Sequence, residues 1–427
     1  MARVAIVGAG PSGLTLANLL ASEALAEVTL FEAGPRVGGK SHTTIIESTV
    51  CEMGTCYTTR GDQVLRQWMD GLGIQSSRIG KARMDGQPFD AFVKKAPGAP
   101  LSWQVIKYLW LRQQLLAAHE ATPDNPEVLA RLASPVGEWL AGHGLAKMER
   151  FCLKALTVMG YGYLDNTPTL HALRWIDWSL ITSGVLNDLR MPADGWSHFW
   201  ETLSRDFDVR LNTPVRQVDR AQDDVWIHTE NGVDRFDRVV CAMPVDDFCK
   251  LTAPTPSETI VRDGVSWGRY ATTLCSVDGW FTKEQSRNFS DALLASRLEG
   301  MLLSARREGY AKALNGHLYL LGQIPGEYTA PELAEIARAR IAADGGAVTS
   351  VIEQKIWKYF PKYEPDAIRA GLLETMVRMQ GDQNTFYTGS TFSHEAVGRI
   401  LTFNRGLARL MSNDLKTAGY QPAPIAA

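Results

Sequence analysis

The sequence predicts an α/β protein whose Rossmann-like, dinucleotide-binding domain is interrupted by a second domain made of a mixed sheet and helices. An apolar strand runs directly into a glycine-rich turn and a helix, and a second strand follows at once. Strand-like segments return after a long helical region, which predicts that the first domain is discontinuous in sequence.

The first element is a strand over residues 3–7. Its consecutive apolar residues, VAIV, lack the alternation of a half-exposed strand, which predicts burial on both faces. The helix after it begins near Pro11 and carries a broad apolar face, and the second strand covers residues 27–32. The order strand, glycine-rich turn, helix and strand is typical of a dinucleotide-binding fold.

The turn has the pattern GxGxxG, formed by Gly8, Gly10 and Gly13. The first glycine permits the tight turn, the second lets the backbone approach a pyrophosphate, and the third lets helix and strand pack closely. Glu32 ends the second strand 19 residues after Gly13, where a carboxylate binds both ribose hydroxyls and repels a 2′-phosphate. These residues predict FAD or NAD rather than NADP.

The rest of the chain divides into three kinds of segment. Residues 63–185 are mostly helical, strands return after about residue 186, and a strand with a following helix ends the chain. The predicted domains are a discontinuous cofactor-binding domain (1–62, 186–255 and 375–427), a helical cap or substrate region (63–185), and a substrate domain of sheet and helices (256–374).

The composition is that of an ordinary globular protein: of 427 residues, 45% are hydrophobic and 21% are charged. A net charge of -3 gives no whole-chain signature of nucleic-acid binding. The six cysteines are scattered without a CxxC pair, which argues against a zinc site or a disulfide framework and fits a reducing cytoplasm. No metal site is predicted. The N-terminal apolar run is too short for a signal peptide.

The most membrane-like stretch is WQVIKYLWLRQQLLAA, residues 103–118. It contains Lys107 and Arg112 and falls short of the ~20 apolar residues that a membrane-spanning helix needs. No transmembrane segment is therefore expected. A buried or groove-lining helix is favoured, and a membrane-surface helix is the alternative.

A resemblance to a known family favours FAD over NAD as the cofactor. The run FEAGPRVGGKSHT, residues 31–43, resembles the extension that follows the dinucleotide motif in the flavin amine oxidase superfamily, and NAD dehydrogenases lack it. CEMGTCY, NTPVRQVD, DRVVCAMP and TFYTGSTFSHEAVGRI are similar to further segments of that superfamily, which implies FAD. The motif and the resemblance together assign the cofactor contacts to Gly8, Gly10, Pro11, Ser12, Gly13, Glu32, Ala33, Arg36, Gly38, Gly39, Lys40, Gly54, Thr55, Val215, Ala242, Gly389, Ser390, Ala396 and Val397.

Within the superfamily, LTVMGYGYLDNTP, WKYFP and MQGDQNTFYTG resemble the bacterial polyunsaturated fatty acid isomerases, a redox-neutral group. The resemblance implies hydride removal from an allylic carbon and its return at another carbon. The amine oxidases usually place a lysine near the flavin, but Thr272 and Thr273 stand at the matching strand, with Lys355 or Lys358 as possible substitutes. Ser390 also replaces the acidic residue usual in the family.

Hydride transfer belongs chiefly to the cofactor, so no catalytic side chain is assigned. A substrate within ~3–3.5 Å of the flavin needs an aromatic, apolar pocket. Trp175 and Tyr359 are possible members, Arg83 or Arg269 could bind a carboxylate, and His171 and His198 receive no role. The main pocket candidates are Tyr161, Tyr163, Trp178, Arg269, Tyr270, Trp357 and Phe392.

The function expected from these features is FAD-dependent hydride abstraction from a C–H bond of an apolar, unsaturated small molecule, as a desaturase or a double-bond isomerase. The alternative is an amine or amino-acid oxidase that uses FAD and oxygen. A non-catalytic FAD-binding protein is a third reading, disfavoured by the full set of cofactor residues. Substrate identity, electron acceptor and oligomeric state stay open.

Overall fold

The computed structural model describes residues 1–23, 26–55, 57–221, 224–294 and 299–420. Cys56 lies outside these residues, and the other five cysteines are free thiols. Helices pack against two principal sheets, and the α/β prediction is confirmed.

Strands and helices are interspersed along the whole chain. The strands are β1 (Ala2–Val7), β2 (Ala26–Phe31), β3 (Thr43–Ile46), β4 (Thr49–Glu52), β5 (Ser76–Arg78), β6 (Arg83–Met84), β7 (Gln87–Pro88), β8 (Arg190–Pro192), β9 (Asp208–Arg210), β10 (Gln217–Arg220), β11 (Val225–Thr229), β12 (Gly232–Phe236), β13 (Arg238–Cys241), β14 (Val265–Asp278), β15 (Ser286–Asn288), β16 (Leu302–Ala311), β17 (Gly316–Gln323), β18 (Ala347–Tyr363) and β19 (Thr385–Tyr387). The helices are α1 (Pro11–Glu23), α2 (Gln63–Gly71), α3 (Phe89–Lys94), α4 (Leu101–Ala121), α5 (Pro126–Ala133), α6 (Val136–Gly142), α7 (Ala146–Cys152), α8 (Thr169–Trp175), α9 (Trp178–Val185), α10 (Trp196–Leu203), α11 (Val245–Phe248), α12 (Pro256–Asp263), α13 (Ser290–Leu294), α14 (Ala330–Ala343), α15 (Pro365–Arg369), α16 (Leu372–Arg378) and α17 (Val397–Thr417).

The first sheet is parallel and contains β1 at its centre. Within the described chain its strand order is β19-β13-β1-β2-β9. Val4 and Ile6 of β1 pack with leucines of α1 and α17, while Ala5 and Val7 belong to the core on the opposite side. Burial on both faces is therefore confirmed. Because the strands are parallel, their carboxyl ends meet at one edge of the sheet, where ligands bind in folds of this class.

The second sheet is mostly antiparallel and has the order β18-β14-β17-β16-β15-β6-β7 among the described residues. Its longest pair joins β14 to β18, from Val265 opposite Tyr363 to Asp278 opposite Ala347. The segments RYATTLCSV and HLYLLGQI are strand-like in sequence and lie in β14 and β17, whereas the sequence did not predict the length of β18. Residues 63–185, predicted to be mostly helical, also contain β5, β6 and β7, which were not predicted because strands of two or three residues are too short to show a periodic pattern.

A buried ion pair ties three elements of the parallel-sheet region together. The guanidinium of Arg220, at the end of β10, donates to both carboxylate oxygens of Glu258 on α12, at 2.8 and 3.0 Å. The hydroxyl of Tyr387 on β19 donates to the same carboxylate at 2.6 Å. The side chains of Arg220 and Glu258 are 2% and 0% exposed, so this network is shielded from water and salt.

Most helices before residue 186 surround one extensive apolar core with the second sheet. After α7 the chain continues as a π-helical turn over Leu153–Val158, a rare arrangement that often occurs at functional sites. In the described part of the chain, every helix is too short or too polar to cross a bilayer.

Candidate active site

A cavity of about 1030 Å³ is lined by residues of both sheets and of the helical region. Gly8, Glu32, Ala242 and Gly389 line it, and they follow the carboxyl ends of β1, β2, β13 and β19 respectively. The cavity therefore lies at the edge of the parallel sheet where a dinucleotide is expected.

The glycine-rich turn has the geometry that its sequence predicted. Gly8 has a φ of +110°, and a Cβ there would lie 2.9 Å from the carbonyl oxygen of Ala242. A Cβ on Gly13 would lie 2.1 Å from the carbonyl oxygen of Gly8, so the third glycine allows helix and strand to touch. Gly10 lines the cavity directly before α1, so the first turn of that helix faces an anion bound there.

Glu32 is held in place by two backbone donors. The N–H of Ala9 donates to Oε2 at 3.0 Å, and the N–H of Gly34 donates to Oε1 at 2.9 Å. Each carboxylate oxygen keeps a further lone pair for a ligand, and Glu32 lines the cavity. The carboxylate is thus oriented to accept hydrogen bonds from ribose hydroxyls.

The structure brings most predicted cofactor residues to the cavity wall. Together with the helix N-terminus and the Glu32 carboxylate, this glycine-rich surface fits a dinucleotide. The predicted residues that line the cavity are Gly8, Gly10, Pro11, Ser12, Glu32, Gly39, Lys40, Gly54, Thr55, Ala242, Gly389, Ser390, Ala396 and Val397.

Five predicted cofactor residues lie outside the lining: Gly13, Ala33, Arg36, Gly38 and Val215. Arg36 instead donates to the carbonyl oxygens of residues 37, 39 and 41, at 3.0, 2.6 and 2.9 Å, and so shapes the loop that carries Gly39. Val215 is buried in the core, with 8% of its surface exposed. Loop and core packing occupy the side chains of Arg36 and Val215, so cofactor contact at these five positions stays a prediction.

Lys40 forms an ion pair inside the cavity, so its positive charge is compensated there. Its ammonium lies 2.6 Å from Glu395, a carboxylate with a side chain only 6% exposed. Glu395 also accepts the backbone N–H of Phe360 at 3.0 Å. Phe360 has a φ of +61°, which is strained for an aromatic residue, and such strain is concentrated at functional sites. The network joins the cofactor loop to β18.

Aromatic side chains form the wall between the cofactor side and the deeper part of the cavity. Tyr161, Tyr270 and Trp357 line it as predicted, together with Trp175 and Tyr359. The ring centroid of Tyr359 lies 5.8 Å from that of Tyr161 and 6.0 Å from that of Tyr270. Such spacing is favourable for aromatic packing, so the wall is a preformed apolar surface.

The other four pocket candidates lie elsewhere. Trp178 is 64% exposed on α9, and Arg269 is also exposed and donates to the carbonyl oxygen of Gly326 at 3.0 Å. Tyr163 and Phe392 are buried but do not reach the cavity. Their predicted place in the pocket is corrected, since composition alone does not show which way a side chain points.

Thr272 stands where a lysine was expected, and its hydroxyl already makes two hydrogen bonds within the protein. It donates to the carbonyl oxygen of Met53 at 2.9 Å and accepts from the indole N–H of Trp357 at 2.8 Å. Lys355 pairs with Glu353 and Lys358 with two aspartates, and neither lysine lines the cavity. The proposed substitutes for the missing lysine therefore point away from this site.

Sequence reasoning missed the apolar chamber beyond the aromatic wall. Residues 103–118 were expected to form a buried or groove-lining helix, and Val105 in that stretch lines the cavity, as does Leu101 at the start of the same helix. The π-helical turn carried no recognisable sequence signal, because its apolar residues fit an α-helix equally well. The apolar residues that line this chamber are Ile79, Ala82, Phe89, Val93, Leu101, Val105, Met148, Phe151, Ala155, Val158, Met159, Leu180 and Ile181.

Cationic side chains occupy the chamber end of the cavity. Lys81, Arg83 and Lys154 line it, and so does Asp90. Arg83 lies 3.5 Å from Glu284 and remains 41% exposed. His171 accepts a backbone N–H at 3.1 Å in the core, where burial keeps its pKa well below the usual value. His171 is therefore a neutral structural group.

We expect a pH-dependent stability from Glu52, a fully buried residue two positions before Gly54. One carboxylate oxygen accepts from Thr43 and from the N–H of Trp196, at 2.7 and 2.6 Å, while the other has no hydrogen-bond partner among the described residues. Burial raises the pKa of Glu52 to about 7. Its stabilising contribution is thus complete below the ordinary carboxyl pKa and is lost as the pH rises through about 7.

Replacing Glu52 by glutamine should therefore stabilise the protein relative to the wild type by roughly 1–3 kcal/mol at about pH 8.5, and by less at about pH 5.5. Urea unfolding at both pH values measures the difference. The exposed Glu27→Gln variant is the control and should show no such change. An equal effect of E52Q at both pH values would contradict the assignment.

The comparisons with known proteins agree with this geometry. The sequence profile of the family described as flavin containing amine oxidoreductase matches residues 11–263, more than half of the chain. A polyenoic fatty acid isomerase of Ptilota filicina is 23% identical over 257 residues, which cover 52% of this chain and 51% of that protein. A tryptophan 2-monooxygenase of Allorhizobium ampelinum is 40% identical over 77 residues, 17% of this chain and 11% of that protein. The alignments thus span about half or less of these relatives.

Solved structures show the same fold over nearly the whole chain. The fatty acid isomerase from P. acnes that produces CLA superposes with a TM-score of 0.81 at 23% identity, covering 96% of this chain and 98% of that one. Cyclohexylamine oxidase from Brevibacterium oxydans gives a TM-score of 0.67 at 14% identity, covering 98% and 99%. The predicted resemblance and fold are confirmed. Since the profile covers more than half of the sequence, the chain belongs to the flavin containing amine oxidoreductase family, which implies a flavin cofactor.

Proposed function

We propose that this chain is an FAD-dependent enzyme that moves a hydride from a C–H bond of an apolar, unsaturated small molecule and acts as a double-bond isomerase. The observation that carries the proposal is the continuity of the cavity. One space is lined by the glycine-rich dinucleotide residues, the aromatic wall, apolar side chains and the cationic Lys81, Arg83 and Lys154.

The cofactor side supports FAD in particular. The pyrophosphate would lie against Gly8 and Gly10, a ribose against Glu32, and the flavin edge against the start of α17 at Val397. Bound there, FAD would supply both the acceptor and the donor of hydride. We further propose that residues 1–62, 186–255 and 375–427 form the unit that binds FAD. The rest of the chain then shapes the substrate chamber.

The chamber itself supports an apolar chain with an anionic end. Leu101, Val105 and Val158 offer no hydrogen-bonding side chain to a polar substrate, whereas the aromatic wall shields the reacting carbon from water. Lys81 and Arg83 attract a carboxylate and repel an ammonium group. The charge at this end therefore favours a fatty acid over an amine. An amine or amino-acid oxidase is the alternative.

The two functions separate in one experiment. The purified flavin-loaded protein is incubated anaerobically and aerobically with polyunsaturated fatty acids, amines and amino acids. The isomerase proposal predicts a product of unchanged mass with a shifted double bond, without net flavin bleaching and without peroxide. Peroxide release with an amine, and no double-bond migration with any fatty acid, would overturn it.

A second prediction tests the chamber directly. Replacing Val158, which is 6% exposed and lines the cavity, by phenylalanine should fill space in the substrate path and leave the cofactor side untouched. We expect the KM for a long-chain substrate to rise on the order of tenfold or more, since a displaced substrate loses apolar contacts worth ~1–3 kcal/mol. Val158→Ala is the matched control and should keep a KM near that of the wild type. The flavin absorbance should be unchanged in both variants.

A further inference from the structure

The cavity opens to solvent beside α9. Val185 lines the cavity and is also 76% exposed, so the cavity reaches solvent here, as it does at the exposed lining residues Lys81, Pro88 and Asp90. We call the opening at Val185 the mouth. Trp178 and Leu186 near it are 64% and 56% exposed. Trp178 and Val185 are two helical turns apart and share one side of α9, and Leu186 follows that helix directly. We call these three residues the α9 face. Clustered exposure of large apolar side chains marks an interaction surface.

A basic cluster adjoins the α9 face. Among the described residues, four guanidinium groups lie within 4.0 Å of the carboxylate of Asp188: those of Arg60, Arg66, Arg78 and Arg190, at 3.8, 3.2, 3.8 and 2.7 Å. Arg60 and Arg78 are 51% and 60% exposed. Asp70 lines the same surface depression as Arg60, Arg66 and Asp188, so the four guanidinium charges are partly compensated but still outnumber these two carboxylates. We call these four residues the arginine cluster.

Hydrogen bonds join the arginine cluster rigidly to α9. The backbone N–H of Arg60 donates to Ser183 Oγ at 2.8 Å, and that of Gly61 donates to Ser179 Oγ at 2.6 Å. The N–H of Asp188 donates to the carbonyl oxygen of Ser183 at 2.8 Å. The apolar and cationic surfaces therefore face outward as one unit at the cavity mouth, where Asn187 and Leu189 also line the cavity.

We propose that the α9 face and the arginine cluster bind the surface of an anionic lipid bilayer and place the cavity mouth against it. Exposed Trp, Val and Leu side chains enter the boundary between head groups and acyl chains, and guanidinium groups bind lipid phosphates. The proposal rests on the proposed function in one respect: an apolar substrate that resides in the bilayer enters the chamber without crossing water.

The charge distribution favours a bilayer over a second copy of this chain. In a two-fold dimer whose axis passes through this surface, the arginine cluster of one protomer would oppose that of its partner. Like charges at such an interface are repulsive, whereas an anionic bilayer compensates them.

Vesicle sedimentation with the flavin-loaded full chain tests the proposal. Phosphatidylcholine vesicles that contain phosphatidylglycerol should bind the protein, and vesicles of phosphatidylcholine alone should bind it much less. Replacing Arg60 and Arg78 by glutamine should weaken binding roughly thirtyfold, since each basic residue contributes about 1 kcal/mol near an anionic surface. The double variant Trp178→Ser and Leu186→Ser should weaken it on the order of tenfold or more.

A matched control uses exposed apolar residues away from the mouth. Ile260 and Val377 are 50% and 68% exposed on α12 and α16, and serine at both positions should leave vesicle binding unchanged. Flavin absorbance and thermal unfolding check that each variant is folded.

Three results would overturn the proposal. The first is equal binding to neutral and anionic vesicles, and the second is dimerisation that depends on protein concentration, without vesicle binding. The third is that W178S/L186S binds vesicles normally, whereas serine at the exposed Trp103, Ile106 and Trp110 of α4 abolishes binding. Measuring vesicle binding and fatty acid turnover separately distinguishes the docking proposal from the proposed function. Vesicle binding without fatty acid turnover would refute only the proposed function, and turnover without vesicle binding would refute only the docking.

Discussion

Replacing Gly54 by alanine is expected to weaken flavin binding at least tenfold. A Cβ at this position would lie 1.7 Å from the carbonyl oxygen of Lys40, a backbone atom that cannot rotate away. Gly54 and Lys40 both line the cofactor side of the cavity, so the displaced loop would distort that surface. We expect flavin retention to fall at least tenfold and the free energy of unfolding to decrease by roughly 3 kcal/mol, the upper end of the usual cost of overpacking. The flavin-to-protein absorbance ratio and urea unfolding measure both effects.

Gly71 provides the matched control. It is the last residue of α2, and a Cβ there meets nothing within 4 Å. Gly71→Ala should leave flavin content unchanged and alter stability by less than about 1 kcal/mol. A G54A variant with a full complement of flavin would show that the loop of Lys40 does not form the cofactor surface.

The second large effect is expected at the buried ion pair. Replacing Glu258 by alanine leaves the guanidinium of Arg220 buried without its bidentate partner and removes the acceptor of the Tyr387 hydroxyl. Breaking a buried pair in this way costs about 3–5 kcal/mol. Urea unfolding of E258A should show a decrease of that size in the free energy of unfolding, because Arg220, α12 and β19 lose the contact that they share.

The effect of E258A should depend on pH. Burial by itself raises the pKa of Glu258, but hydrogen bonds from Arg220, Tyr387 and the N–H of Thr255 outweigh it and hold the pKa below the usual value. A carboxylate of this kind contributes its stability above the ordinary carboxyl pKa and loses it as the pH falls through the lowered one. The difference between wild type and E258A should therefore be largest near neutral pH and shrink in acid.

Two variants control this prediction. The first is Glu230→Ala, at an exposed ion pair in which the side chains of Arg216 and Glu230 are 60% and 69% exposed. This substitution should lower the free energy of unfolding by less than about 1 kcal/mol. The double variant Arg220→Met and Glu258→Leu removes both charges and should recover much of the lost stability. A loss at Glu258 no larger than that at Glu230 would mean that the buried network does not stabilise the fold.

The local pattern of the sequence was sufficient to predict which residues form the cofactor side of the cavity. A glycine-rich turn, the helix after it and Glu32 act within one short βαβ unit, so their roles follow from spacing and backbone chemistry alone. The structure places Gly8, Gly10 and Glu32 at the cavity as that spacing predicts. Their assignment to FAD contacts remains a prediction until a cofactor complex is observed.

The substrate side depended on side-chain direction, which sequence alone does not show. Tyr161 and Trp178 are both large aromatics in the helical region, yet the first lines the cavity and the second is exposed. Arg83 reaches the cavity on a two-residue strand that shows no periodicity, whereas Arg269 on a long, well-predicted strand points to solvent. The sequence pattern indicates on which face of its own helix or strand a residue lies, but not which other elements pack against that face.

By itself, then, the sequence determined the α/β class, the position of the dinucleotide turn and the family, because these depend on contacts between residues close in sequence or on motifs with fixed spacing. Only the tertiary structure decided which aromatics form the wall, that Thr272 is engaged by Trp357 and Met53, and that Lys355 and Lys358 point elsewhere. The physical reason is that the chamber is built where β14, β18, α4 and the π-helical turn converge. That convergence is set by the packing of the whole chain.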